Sequence, residues 1–321
     1  MKPNLVIFRP GTLGDQIVLL SVLQDTDLSR THNLILVERK IFNRVSAANF
    51  SYFRKFYSQL FTYNNLVKLV INCIKIRFRY GSALFLYIPH SDRSKCKAIF
   101  ENIVFSLFFD VRVSNIKTFM RYTNSACKFV PEYERVENNI KAVFKDIKFS
   151  KKKLVPSDSN TIVIAPRSAW LSKDWPVENF RELVKTLAHK GFNINLVGTS
   201  ADRLEEFIDY EDNVVVNQIQ VLCDSPLEEV ESVLLSSKLF VGVDSAVCHL
   251  AASAGLPSVI LFSDTNRAEN WCPPYEHVTA IRKTVDCGGC FSAQCLNIEH
   301  SCMSLITVPE VLEVISEKLS K

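Results

Sequence analysis

The 321-residue chain is predicted to be an α/β protein of two doubly wound domains. Three observations carry this. Short β-branched runs alternate with amphipathic segments through most of the chain. A charged stretch containing Pro and Ser, "FSKKKLVPSDSN" at 149–160, separates two such series. The charge divides at the same place. Residues 1–155 hold 26 Lys and Arg against 11 Asp and Glu, a net of +15, and residues 156–321 hold 12 against 23, a net of −11. Domains 1–155 and 156–321 follow, with different partners, the first facing something anionic.

In the first domain "NLVIFR" reads as a strand, "PGTLGD" as a turn, "QIVLLSVLQ" as a helix and "NLILVE" as a strand. Residues 50–130 are less legible. "NLVKLVINCIKIRFR" places Lys68, Asn72, Lys75 and Arg79 at offsets of 4, 7 and 11, one polar stripe on a helix otherwise apolar. That stripe is either the solvated side of a core helix or a basic helix touching an anionic membrane surface. Lys55, Arg77, Arg93, Lys95 and Lys97 lie close by in sequence.

The second domain is regular. "TIVIAP" is a strand, and "PVENFRELVKTLAHKG" is an amphipathic helix with Pro176 at its start and Gly191 past its end. "FNINLVG" is a strand, and "SPLEEVESVLLSSK" opens as a helix with two early Glu residues. "LFVGVD", "SAVCHLAASAG" and "PSVILF" continue as strand, helix and strand. Apolar strands alternating with helices argue for a parallel sheet covered on both faces. Ligands in such sheets bind beyond the carboxyl ends of the strands, which brings the loops after these strands to one cleft.

Composition removes several classes. At 47% hydrophobic the chain is neither disordered nor low in core-forming residues. No apolar run is long enough to span a bilayer, and the opening "MKPNLVIFRPG" is too short in its apolar part for a secretory signal. A cytoplasmic setting is expected. Six of the ten cysteines are scattered and read as small buried hydrophobes.

Four stretches carry chemistry. "GVDSAVCH" places Asp244 or Ser245 to cap a helix whose free N–H groups attract phosphate, with His249 one turn on. "APRSAWLSKDWP" supplies Arg167, Ser168 and Lys173, two cations and a hydroxyl suited to a diphosphate or to a solvated loop. "LVGTSADR" offers Asp202, either to ribose hydroxyls or to a helix start. "FRPGTLGDQ" is neither a Walker A loop nor a G-x-G-x-x-G fingerprint. Its Thr12 and Gly14 sit in a cleft loop, and Asp15 is either a cap or a general base. A fifth stretch, "CGGCFSAQCLNIEHSC", sets Cys287, Cys290, Cys295 and Cys302 in the spacing C-x2-C-x4-C-x6-C. Tetrathiolate zinc or iron and four unligated thiols both fit that spacing, and the expected compartment disfavours disulfides.

Taken in order, "RPGTLGDQIV", "RSAWLSKDWPVENF", "VGVDSAVCHLAASAGLPSVILF" and "CGGCFSAQCLNIEHSCM" with "ITVPEVLEVI" resemble glycosyltransferase family 9, the ADP-heptose:lipopolysaccharide heptosyltransferases. The cysteine-rich tail resembles the heptosyltransferase II branch. The resemblance implies a GT-B fold of two Rossmann-like domains facing each other across a cleft. It implies an acceptor-binding first domain, a nucleotide-sugar-binding second domain and inversion at the anomeric carbon without a catalytic metal. By position it implies Asp15 as general base, with Lys173 and the Asp244–Ser245–Ala246 turn holding the diphosphate and His249 nearby; Asp202 matches a ribose-contacting position. Arg167 and Ser168 join the donor site.

The implied partners are a nucleotide-sugar, ADP-heptose, and an anionic glycolipid or glycan acceptor of the lipopolysaccharide-core kind, met at the inner membrane surface; no nucleic acid is expected. No cofactor is needed for catalysis, and a structural Zn or Fe at the cysteines is the one metal entertained. Two departures stand out: Ala246 where the family has Gly, and "FSDT" at 262–265 where it has Phe-Gly-Pro-Thr. They keep open a nucleotide-sugar- or glycan-binding protein that has lost catalysis. A nucleotide-sugar 2-epimerase shares the two-domain architecture and is the rival enzyme.

Overall fold

The computed structural model describes residues 2–9, 11–39, 54, 57–81, 83–88, 103–105, 107–109, 131–150, 153–155, 157–266, 268–295 and 302–320. The chain divides into two compact units, Met1–Lys151 and Lys152–Lys321, a few residues before the 155/156 boundary drawn from the sequence.

In unit 1 the order is β1 (Asn4–Phe8), α1 (Leu13–Gln24), α2 (Leu28–Thr31), β2 (Asn33–Arg39), β3 (Gln59–Tyr63), α3 (Leu66–Tyr80), β4 (Leu84–Tyr87) and α4 (Glu132–Val143). The strands form one parallel sheet in the order β3-β2-β1-β4. β1 is apolar without alternation, as expected of a strand covered on both faces. Aromatic rings fill one side: Phe105 lies 4.2 Å from Phe85 and 4.7 Å from Phe8, centroid to centroid. β3, α3 and β4 fall within the stretch whose sequence was least legible. Lys55, Arg93, Lys95 and Lys97 lie outside the described residues.

One expectation for α3 is corrected. Asn72 is not on the exposed stripe with Lys68, Lys75 and Arg79. It is buried, and its side-chain amide donates to the Thr62 carbonyl (2.9 Å), tying the helix to β3. A buried amide needs such a partner, and the carbonyl at the end of the neighbouring strand offers one.

In unit 2 the order is β5 (Thr161–Ala165), α5 (Val177–His189), β6 (Asn193–Gly198), α6 (Asn213–Gln218), β7 (Ile219–Cys223), α7 (Leu227–Ser236), β8 (Leu239–Val243), α8 (Ala246–Ala254), β9 (Ser258–Phe262), α9 (Ala268–Trp271), β10 (Val278–Arg282) and α10 (Val308–Leu319). All six strands are parallel, in the order β10-β9-β8-β5-β6-β7. The chain therefore winds outward from β5 to one edge, returns to β8 and winds to the other edge.

α5 buries Phe180, Leu183, Val184 and Leu187, spaced as one helix face requires, and Pro176 stands at its N-cap. Trp175 meets Phe180 edge-on at 4.9 Å, and its indole N–H donates to the Ile306 carbonyl (2.9 Å), anchoring the chain that leads into α10. Truncating so buried an aromatic costs about 3–5 kcal/mol.

Candidate functional site

In open parallel sheets the ligand crevice lies beyond the carboxyl ends of the strands where their order reverses. In unit 2 that point is between β5 and β8, so the segments from Pro166 onward and from Asp244 onward converge there. Lys173 closes a short 3-10 turn, Leu171–Lys173. Its ammonium donates to Asp244 Oδ2 at 2.7 Å. The other oxygen of Asp244 lies 3.7 Å from His249 Nε2, one turn into α8. Burial pushes the Asp244 carboxyl up, but Lys173 and His249 outweigh it and hold the group well below the usual carboxylate range. A Lys173–Asp244 ion pair with His249 beside it thus stands at the switch point.

The cap expected on α8 is corrected. Ser245 occupies the N-cap position, but its hydroxyl makes no capping bond and is buried without a partner among the described residues. Asp244 is held by Lys173 and His249 instead. Among the described residues, the first-turn N–H groups of α8, which begins at Ala246, therefore have no side-chain acceptor beside a lysine.

Asp244, Cys248 and His249 also offer ligand atoms within 4.8 Å of one another. Burial first, then the Asp244 charge, pushes the Cys248 thiol well above its ordinary value, so it remains a thiol. Lys173 already supplies a cation to the Asp244 carboxylate at this place.

The other donor-side residues are engaged locally. Arg167 bonds Asp174 Oδ2 (3.1 Å) and Glu206 Oε2 (2.9 Å), and stacks over Phe207. Its guanidinium is held by two carboxylates, whereas Lys173 is paired with one, Asp244. The Ser168 N–H donates to Asp174 Oδ1, and its hydroxyl closes a turn with Trp170. Burial raises the Asp174 carboxyl against the pull of the Ser168 N–H and Arg167. Asp202 Oδ2 accepts from the Thr199 N–H (2.6 Å) and hydroxyl (2.9 Å).

In unit 1 the loop after β1 carries Asp15, buried in the first turn of α1. Asp15 Oδ2 accepts from the Thr12 N–H (2.8 Å) and hydroxyl (2.9 Å), while Gly14 lies in the same first turn. Asp15 Oδ1 meets Arg9 Nη2 at 3.3 Å. Arg9 is fully buried and also pairs with Glu132 of α4 (2.9 Å), which in turn meets Arg135 (3.2 Å). Sequence reasoning missed Arg9 and Glu132. An arginine ending a strand six residues before an acid is a faint signal for the first; nothing local marks Glu132, 123 residues away from Arg9.

The "FSDT" departure has a structural role. The Asp264 N–H donates to Cys302 Sγ (3.1 Å), its carboxylate accepts from the Val285 N–H (3.1 Å), and its carbonyl accepts from the Gly289 N–H (2.6 Å). Thr265 Oγ1 contacts Cys290 Sγ at 3.1 Å. The loop after β9 thus organises the cysteine segment. Among the described residues, no three of these sulfurs lie within 4.8 Å of one another. They are nonetheless neighbours, since after burial and Asp264 the Cys295 and Cys287 sulfurs contribute to raising the Cys302 thiol.

Comparison with known proteins bears on the family and the fold. The family model of glycosyltransferase family 9 (heptosyltransferase) matches residues 70–300. Lipopolysaccharide heptosyltransferase 1 of Salmonella typhimurium is 35% identical over 100 residues; the match spans 29% of this chain and 29% of that relative. The structure of Escherichia coli heptosyltransferase WaaC with ADP-2-deoxy-2-fluoro heptose superposes with a TM-score of 0.64 at 17% identity, covering 98% of this chain and 99% of the other. The iron-containing dodecameric glycosyltransferase TibC of enterotoxigenic E. coli gives 0.58 at 16%, covering 99% and 76%. At these identities the likeness is one of fold, the two-sheet GT-B type. The family match covers well over half the sequence, and the chain belongs to glycosyltransferase family 9.

Proposed function

We propose that the chain is an inverting heptosyltransferase that moves heptose from ADP-heptose onto an anionic lipopolysaccharide-core acceptor. One observation carries the donor half: Lys173 and the uncapped N-terminus of α8 stand together at the switch point of unit 2. A diphosphate suits that place, because the N–H groups and the ammonium both favour negative charge. Asp244 holds Lys173, His249 braces Asp244, and Asp202 offers its second oxygen to ribose hydroxyls. The acceptor is assigned to unit 1, whose sequence half carries the +15.

In the reaction Asp15 takes the proton of an acceptor hydroxyl as that oxygen bonds to the anomeric carbon. The bond from that carbon to the β-phosphate oxygen breaks, and ADP leaves with the electron pair. Lys173 and α8 meet the charge gathering on ADP, so the step draws its positive charge from the chain itself. Family membership favours transfer over epimerisation. The test is ADP release from ADP-heptose with and without a heptose-deficient lipopolysaccharide core. Acceptor-dependent release with a heptosylated product is expected. An epimerised donor, or donor binding without turnover, would overturn the reading.

We further propose a structural zinc or iron held by Cys287, Cys290, Cys295 and Cys302. Their spacing supports it, as does the Asp264 N–H aimed at Cys302 Sγ, the kind of bond that steadies a metal-bound thiolate. TibC, of the same fold, is iron-containing. Elemental analysis should find about one metal per chain, lost in Cys290→Ser. Metal-free protein with unchanged melting after chelation would refute it.

A further inference from the structure

α3 is buried on one side through Leu69, Asn72, Cys73 and Ile76. Its other side is also apolar. Val67, Ile71, Ile74 and Phe78, at offsets of 4, 7 and 11, are 69%, 39%, 38% and 88% exposed. These offsets define one helix face. An exposed apolar stripe of this kind marks an interaction surface rather than a solvated side. Lys68, Lys75, Arg77 and Arg79 are exposed beside it, and the helix contains no acidic residue. Neither the stripe nor its charge is used by the donor site or by Asp15.

We propose that this face of α3 docks in the plane of an anionic lipid leaflet, with Phe78, Ile74, Ile71 and Val67 seated among the acyl chains and the four cations at the headgroups. The pairing of an apolar stripe with flanking cations is what an interfacial helix requires. At 15 residues α3 is too short to cross a membrane, and no helix among the described residues is long and apolar enough to do so. A second copy of the chain is a poorer occupant. A two-fold pairing would set the same cations against each other. The apolar residues add what charge alone lacks, a seat among the acyl chains once the cations have brought the helix to the surface.

The test is co-sedimentation with phosphatidylcholine vesicles, with and without phosphatidylglycerol, at low and high salt. Three proteins are compared: wild type, Val67→Ser/Phe78→Ser, and Lys68→Gln/Lys75→Gln/Arg79→Gln. Wild type should bind the anionic vesicles. The serine variant should lose roughly tenfold or more in partitioning, the scale of burying one large apolar side chain. The glutamine variant should lose at least as much, and high salt should mimic it. Fluorescence of Phe78→Trp should shift to the blue on anionic vesicles only. These changes are all at exposed residues, so misfolding does not confound them. Transfer to a soluble delipidated acceptor should be unchanged in the serine variant, which separates failure of docking from failure of the transferase reading. Equal binding by all three proteins, or no shift from Phe78→Trp, would overturn the proposal. Self-association abolished by Phe78→Ser, without vesicle binding, would overturn it in favour of a second copy.

Discussion

Lys173→Met tests the donor site most sharply, because two effects of that change can be separated. Lys173 and Asp244 are both largely buried and meet at 2.7 Å. Removing the lysine leaves the Asp244 carboxylate in place with His249, at 3.7 Å, as its neighbour and without the ammonium. Breaking such a pair from one side costs about 3–5 kcal/mol of stability. If Lys173 also binds diphosphate, ADP affinity falls by a further charge-assisted bond, about 1.5–3 kcal/mol, or roughly 10- to 150-fold in Kd. The double variant Lys173→Met/Asp244→Asn removes the stranded charge, so stability should return to within about 1 kcal/mol of wild type while ADP affinity stays low. Urea denaturation and calorimetry with ADP read the two quantities independently. Wild-type affinity for ADP in the double variant would show that the pair only holds two loops together, and the diphosphate assignment would fall.

Asp15→Asn should lower kcat by roughly 10² or more, the scale of a lost general base, while the α1 turn survives because Asn caps about as well as Asp; a folded variant with near-normal turnover removes Asp15 from the mechanism. Glu132→Gln takes a buried carboxylate from both Arg9 and Arg135, leaving Arg9 with Asp15, and should cost about 3–5 kcal/mol by urea denaturation; a loss below about 1 kcal/mol would mean the network is not the brace of the β1 loop. The depressed Asp244 carboxyl contributes stability that is whole above the ordinary Asp value of about 3.9 and is lost as pH falls from there toward its lower folded value. Asp244→Asn should therefore flatten the acid limb of a stability–pH curve, and an unchanged limb would contradict the pairing.

Strands with two covered faces were legible in the sequence, because β5, β8 and β9 are mostly apolar runs bounded by turns and β6, though it carries Asn193 and Asn195, ends in Leu-Val-Gly before a turn. β7 and β10 were not. They are the sheet's edges, half exposed, and "IQVLC" and "VTAIR" carry no pattern that separates an edge strand from a loop. The polar stripe on α3 was misread for a related reason. Helical spacing fixes which residues share a face but not which face meets the core, and Asn72, at the spacing of Lys68, Lys75 and Arg79, lies where that stripe borders the buried side. At the site, residue types were legible and their partners were not. Lys173 and Asp244 are 71 positions apart, and only the reversal of strand order between β5 and β8 brings them together.

The same limit explains why two identical loops are given different roles. Gly11–Asp15 and Gly198–Asp202 both read G-T-x-x-D and both follow a strand's carboxyl end. The local physics is shared. In each, the threonine N–H and hydroxyl hold one aspartate oxygen. In each, the glycine is required, since a Cβ would fall 2.6 Å from Asp15 Oδ2 or 2.8 Å from Asp202 Oδ2. The motif therefore builds a capped turn wherever it occurs and does not by itself make a base. The second oxygen separates the two. That of Asp15 faces a buried arginine shared with Glu132, which fixes the carboxylate's orientation from outside the turn. That of Asp202 has no partner among the described residues, in a loop only half-buried, and so is open to a ligand hydroxyl. A fixed carboxylate suits proton transfer, which demands alignment at the moment of attack, and an open one suits recognition of a hydroxyl pair. On the proposed assignment the division of labour comes from Arg9, at the head of the first motif, and Glu132, which lies in none of the quoted stretches.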